Sequence, residues 1–145
     1  MVAFTQWLTV IALAATPALV LGQSAAAAAG IGFGLDPWIM VPVIALSGFV
    51  EGMLLAYLAG ISTRIKFVHR WCEKLQKPKA VALANRWGPW GGMFIGVAAV
   101  GQEPIIIALR WLGIETRKMW LPTFASNVVF AVLYYWIVRL GWSWI

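Results

Sequence analysis

Long apolar runs, almost free of charge, make up most of this chain. The segment from Pro37 to Ile61 contains about 25 residues and one charge, Glu51, so as a helix it can cross a hydrocarbon core of about 30 Å. Residues 1 to 35 carry no Lys, Arg, Asp or Glu. Two more apolar segments run from Gly88 to Gly113 and from Met119 to Trp144. Only 11% of the residues are charged, against about 25% in soluble domains, so we predict an all-α integral membrane protein.

The positive charge is concentrated between the second and third apolar segments. The chain has 11 Lys and Arg against 5 Asp and Glu. Seven of these basic residues lie in the connector 63–86, with only Glu73 to oppose them: Arg64, Lys66, Arg70, Lys74, Lys77, Lys79 and Arg86. A basic loop between spans marks the cytoplasmic side, so we expect a multi-pass protein of the plasma (inner) membrane and no nucleic-acid partner. Apolar residues at helical spacing within 61–75 predict an amphipathic helix along the membrane surface, which Pro78 ends.

The third apolar segment is interrupted in its middle by Gly-Gln-Glu-Pro, residues 101–104. If this segment crossed the membrane, Arg117 and Lys118 would lie outside, against the bias of basic residues toward the cytoplasm. A hairpin that enters from the cytoplasm, breaks at residues 101–104 and returns keeps both of them inside. The sequence therefore favours two transmembrane helices plus two re-entrant hairpins, and the alternative is a four-span helical bundle.

An internal repeat extends the same interpretation to the first apolar segment. Sliding the chain against itself aligns Gly22-Gln23 with Gly101-Gln102, and Gly34-Leu35-Asp36 with Gly113-Ile114-Glu115. The predicted organisation is a first repeat over 1–62, the basic connector 63–86 and a second repeat over 87–145. Because one intact span lies in each half, the two hairpins would enter from opposite sides, an inverted repeat whose broken segments indicate a transport site near the midplane. A cleaved signal peptide is the other interpretation of the first segment.

Three short motifs and their order resemble a known family. They are Gly34-Leu35-Asp36-Pro37, the stretch Arg86-Trp87-Gly88-Pro89-Trp90-Gly91, and Leu112-Gly113-Ile114-Glu115-Thr116-Arg117-Lys118 before the last span. In this order the chain is similar to the small multidrug export proteins and, more distantly, resembles the DedA/VTT membrane proteins. Where the first family usually carries a Glu-Leu-Arg type motif, this chain reads Leu21-Gly22-Gln23-Ser24. The resemblance implies a proton-linked exporter or a lipid-moving protein.

Four polar residues at membrane depth are the candidates for the transport site. Glu51 lies about 21 Å into its helix, where a carboxyl group must be protonated, paired or hydrated, so it is a candidate proton carrier. Glu103, beside the predicted break, is a candidate for ion binding and for proton transfer, although it can equally cap the following half-helix. Gln23 and Gln102 offer donors and acceptors to a substrate, or they hydrogen bond to each other and hold the hairpins.

Arg86 and Arg110 are the candidates for contact with an anionic substrate or lipid headgroup. Arg110 alternatively extends to the cytoplasmic interface. One histidine, His69, and one cysteine, Cys72, exclude a His-rich metal site and an internal disulfide. The sequence contains no phosphate-binding loop or nucleophile motif, so we expect no cofactor, no metal and no enzyme activity.

The sequence thus predicts a small membrane transporter, with proton-coupled export of a small molecule or ion. Two alternatives are a non-catalytic helical subunit of a larger membrane complex and a lipid scramblase. Because so few helices can hardly enclose a pathway, the expected partners are the lipid bilayer, a second copy in a homodimer or higher homo-oligomer, and other membrane subunits. The small residues from Gly48 to Gly52 offer a face for such contacts.

Overall fold

In the computed structural model, residues 4–14 and 22–142 are described, and they contain helices and no strand. Leu21 and Trp144, which belong to the predicted motifs, lie outside these ranges. The helices, in chain order, are α1 (Phe4–Ala14), α2 (Gly22–Gly32), α3 (Pro37–Ile61), α4 (Lys66–Leu75), α5 (Pro78–Gly91), a π-helical stretch (Gly92–Gly96), α6 (Val97–Val100), α7 (Gln102–Trp111) and α8 (Thr116–Trp142). The all-helical prediction is confirmed.

Helices α3 and α8 are long and apolar enough to cross a membrane. Only 39% of the most apolar stretch of α3 and 33% of that of α8 are buried by the rest of the chain. The central helix of a soluble protein would be covered for most of its length. These exposed apolar surfaces agree with the two transmembrane helices that the sequence predicts.

Two turns of the same geometry precede the long helices. After α2, the Gly34 N–H donates to Ile31 O at 3.0 Å and the Leu35 N–H to Gly30 O at 2.9 Å. After α7, the Gly113 N–H donates to Arg110 O at 3.1 Å and the Ile114 N–H to Leu109 O at 3.0 Å. Both are Schellman motifs, which require a left-handed residue, and the φ angles of the two glycines are 68° and 85°. The repeated Gly-apolar-acid motif therefore specifies the same turn twice.

The described residues divide into two compact units, and each long helix contributes a part to both. Unit 1 comprises residues 1–51 and 127–145, of which 4–14, 22–51 and 127–142 are described. In it α1 packs against α2, and the alanine-rich α2 leaves room for larger side chains. The core of unit 1 is formed by Val10, Ala14, Ala26, Ala27, Leu35, Met40, Ile44, Ala45, Ala131 and Tyr135.

Unit 2 comprises residues 52–126 and is built around α7. Every residue of α7 from Glu103 to Leu109 is buried, so this helix is covered on all sides. The chain reverses between α6 and α7, which pack against each other, so the predicted break within residues 101–104 is present at Gly101. The π-helical stretch lets its glycines approach α7, and a Cβ on Gly96 would overlap the Ile105 side chain.

The amphipathic helix of the connector begins later than predicted and packs on the protein itself. It runs over α4, from Lys66 to Leu75. Its apolar residues Val68, Trp71 and Leu75 lie against the core of unit 2, and Cys72 is fully buried. Pro78 starts α5 at its first turn, where the missing proline N–H costs nothing. This apolar stripe of α4 is thus covered by protein, whereas Phe67 is exposed.

Candidate functional site

The reversal between α6 and α7 places two polar side chains beside a helix start. Gly101, with φ 100° and ψ 164°, precedes Gln102 and Glu103, which form the first turn of α7. Pro104 follows in the same turn, so it does not interrupt the helix. The positive end of the α7 dipole therefore lies at Glu103, where it favours a negative charge.

Glu103 is almost completely buried, with 8% of its surface exposed. Burial favours the neutral form of its carboxyl group, while a hydrogen bond from its own backbone N–H and the charge of Lys77 favour the ionised form. Lys77 approaches because its Nζ donates to Val100 O at 3.0 Å, at the end of α6. The site thus supports both forms of the carboxyl group, the neutral one by desolvation and the ionised one by a nearby ammonium and the helix start.

Gln102 lies against a glycine of α3. A Cβ built on Gly52 would lie 2.7 Å from Gln102 Nε2, 3.0 Å from Ile106 Cδ1 and 3.1 Å from Thr123 Cγ2. Only a residue without a side chain permits this approach. Within unit 2, the Gln102 amide is therefore fitted between α3 and the first half of α8.

In unit 1 the corresponding glutamine occupies a similar place. Gln23 Nε2 donates to Asn127 Oδ1 of α8, and a Cβ on Gly48 would overlap both of these side chains. Gln23 Oε1 is buried and has no hydrogen-bond partner among the described residues. Each Gly-Gln pair of the sequence repeat thus presents an amide to a glycine of α3.

The small-residue face from Gly48 to Gly52 is occupied by the chain itself. Gly48 accommodates the amides of unit 1, and Gly52 accommodates Gln102 in unit 2. Both glycines are buried. These positions are therefore not free to pack against a second copy, and the predicted homo-oligomer requires another surface.

The Gln23–Asn127 hydrogen bond should couple the two side chains energetically. We expect a double-mutant cycle of Gln23→Leu and Asn127→Leu to give an interaction energy of about 0.6 kcal/mol, the average for such bonds in a membrane protein. The measurement is the free energy of unfolding in mixed micelles. Thr9→Val with Asn127→Leu is the control cycle, because the exposed Thr9 hydroxyl donates to Thr5 O within α1, and for it we expect additivity. Additive effects in both cycles would contradict the hydrogen bond.

Arg110 binds backbone carbonyl groups inside unit 2. Its Nε donates to Ala56 O at 3.1 Å and its Nη1 donates to Ile114 O. Gly60 makes the approach possible, since a Cβ there would overlap the guanidinium. Arg110 thus holds the turn before α8 against the last turns of α3.

Arg86 and Glu51 lie elsewhere in the chain from the start of α7. Arg86 is exposed, and its guanidinium carbon lies 5.2 Å from the centre of the Trp87 ring. Glu51, in the middle of α3, belongs to unit 1 and is partly buried. Among the six predicted site residues, Gln102 and Glu103 are chain neighbours at the start of α7 in unit 2. Gln23 lies in unit 1.

Sequence reasoning gave no site role to Lys77 or to Asn127. Lys77 stood in a run of basic residues, and no local pattern distinguished it from Lys74 or Lys79. Its position directly before Pro78, the start of α5, is the one signal that could have found it. Asn127 bonds to a residue 104 positions away, which no spacing rule connects to it.

Within 4–14 and 22–142, no group of three or more His, Cys, Asp or Glu side chains could hold a metal ion. No protein-family model, curated protein or solved structure matches the chain.

Proposed function

We propose that this protein is a small membrane transporter in which Glu103 exchanges a proton during export of a small molecule or ion. The observation that carries the proposal is the environment of Glu103, a buried carboxyl group at the start of a buried helix and within the field of Lys77. A carboxyl group that is supported in both protonation states can load and release a proton. Gln102, the preceding residue, is the contact for the cargo.

The proposed topology has two spans, α3 and α8, and two re-entrant hairpins of opposite direction. The hairpins are α1 with α2, and residues 89–100 with α7. The second hairpin starts after the kink at Gly88, whose φ of 61° and ψ of −163° interrupt α5. Both hairpins consist of short helices packed against each other, and both end in the same Schellman turn before a long helix. These features support an inverted repeat, with the start of the basic connector 63–86 in the cytoplasm of a cell with a plasma (inner) membrane. Lys77, which donates to Val100 O, lies at the depth of the second hairpin's tip.

Topology can be tested with single cysteines in a Cys72→Ser background. We expect a membrane-impermeant thiol reagent to modify Thr116→Cys only from the cytoplasmic side, because the second hairpin enters and leaves there. Thr63→Cys, exposed in the connector, is the matched cytoplasmic control. Ser24→Cys should react through water from the outside alone. Modification of position 116 only from the outside would establish four spans and remove the physical reason for a site at the midplane.

Transport itself is tested in proteoliposomes that carry an imposed pH gradient. Ethidium is the probe, because the proposal is export of a small molecule and the fluorescence of ethidium reports its release. We propose that its release depends on the gradient and stops when the gradient is collapsed by an ionophore. Co-purification with stoichiometric unrelated subunits, and no flux from the isolated chain, would instead favour the subunit hypothesis.

A further inference from the structure

Unit 1 contains a groove between the start of α3 and the last turns of α8. Its volume is about 420 Å³. We call it the interface groove and define it by Trp38, Val41, Pro42, Val132, Trp136 and Arg139. The side chains are apolar or aromatic except at one end, where Arg139 supplies a positive charge.

Arg139 is held in place by the aromatic side chains beside it in α8. Its guanidinium donates to the Tyr135 hydroxyl and lies 5.8 Å from the Tyr135 ring centre and 6.0 Å from the Trp136 ring centre. The ion pairs of the described residues are His69–Glu73 and Glu115–Arg117, so no described carboxylate pairs with Arg139. The groove therefore presents an oriented cation to whatever enters it.

The position of Arg139 on a spanning helix indicates the chemistry of the occupant. Arg139 lies in the last turn of α8, and Val132 lies seven residues earlier, about 10 Å deeper along the helix. Trp38 and Trp136 flank the charged end, where aromatic side chains occupy the membrane interface. This end of α3 is opposite the basic connector, so the bias toward cytoplasmic basic residues does not account for the arginine.

We propose that the interface groove binds a membrane phospholipid, with its phosphate on Arg139 and one acyl chain along Val41 and Val132. A guanidinium matches a phosphate by charge and by paired donors. The apolar length below it accepts methylene groups. This inference rests on residence in a bilayer and not on transport, so it can fail or succeed independently of the role of Glu103.

The test uses the full chain in detergent and native mass spectrometry with two probes, dioleoylphosphatidylglycerol and dioleoylglycerol, which share acyl chains but differ in phosphate. We expect Arg139→Gln to weaken phosphatidylglycerol binding about fivefold, the effect of one basic residue at a membrane surface. Arg139→Lys should retain most of it. Dioleoylglycerol, which has no phosphate, should bind Arg139→Gln and Arg139→Lys equally. Arg64→Gln is the control, because Arg64 is also an exposed arginine but lies in the connector, away from the groove, so the binding of both probes should stay unchanged.

Filling the groove provides the second variant. Val132→Trp should weaken the binding of both probes, because it occupies the acyl-chain end and leaves Arg139 in place. Circular dichroism and thermal unfolding check that each variant folds. Equal phosphatidylglycerol affinity of wild type and Arg139→Gln, or unchanged binding to Val132→Trp, would overturn the proposal. A change from dimer to monomer in Val132→Trp without any change in lipid binding would overturn it in favour of a second copy as the occupant.

Discussion

Glu103→Gln is expected to lower gradient-driven ethidium release from proteoliposomes by about 100-fold, the lower end of what a positioned proton-transfer group contributes. The substitution keeps the size of the side chain and an acceptor for the backbone N–H at the start of α7. It removes only the ability to gain and lose a proton. Thermal unfolding should therefore change little while release collapses.

The pH dependence of release gives a second measurement on the same group. Because Glu103 is proposed to gain and lose the transported proton, release should change with pH as its carboxyl group titrates. Lys77→Met removes a charge that favours the ionised form, so the midpoint of the profile should move to higher pH. Lys79→Met, two residues away and exposed, is the matched control and should leave the midpoint in place.

Glu73→Gln is the control for the carboxylate itself. Glu73 is exposed and lies 3.4 Å from His69 Nε2, and it should tolerate the change without loss of release. Glu103→Asp, which still titrates, should retain part of the activity. Full release from Glu103→Gln would refute proton transfer through this residue. Equal losses of ethidium release in Glu73→Gln and Glu103→Gln would indicate a general effect of removing a negative charge.

Gly52→Leu is expected to destabilise the protein by about 1–3 kcal/mol, the usual cost of inserting a side chain into a packed interior. A Cβ at this position already comes within 2.7 Å of Gln102 Nε2 and 3.0 Å of Ile106 Cδ1. The rest of a leucine side chain has no space unless Gln102 leaves its place. The measurement is the free energy of unfolding in mixed micelles.

Gly141→Leu is the matched control, because Gly141 lies in the other long helix and a Cβ there meets nothing within 4 Å. It should leave stability unchanged. If Gln102 contacts the cargo, Gly52→Leu should also raise the ethidium concentration needed for half-maximal release. An equal change in the free energy of unfolding for both glycine variants would contradict the close packing of Gln102 on α3.

The helices and their turns could be predicted because their causes are local. An apolar run of about 25 residues needs no partner to be long enough for a bilayer. Gly34 and Gly113 end their helices because a left-handed residue is required at that position. Likewise, Gly101 marks the break in the third segment, directly before Gln102 and Glu103.

The partners of the polar side chains were decided by tertiary structure. Lys77 reaches Val100 O because α5 and α6 pack around α7, and its neighbours in the sequence carry the same charge. Gln23 donates a hydrogen bond to Asn127, which is 104 positions away in the sequence. These two amides occupy the space beside Gly48, where the sequence predicted a contact with a second copy. Hydropathy and glycine position act within one or two turns of the chain, so the helices and their ends can be predicted from the sequence. The burial of Glu103 and the choice of its neighbours depend on which helices pack together, and only the folded chain determines that.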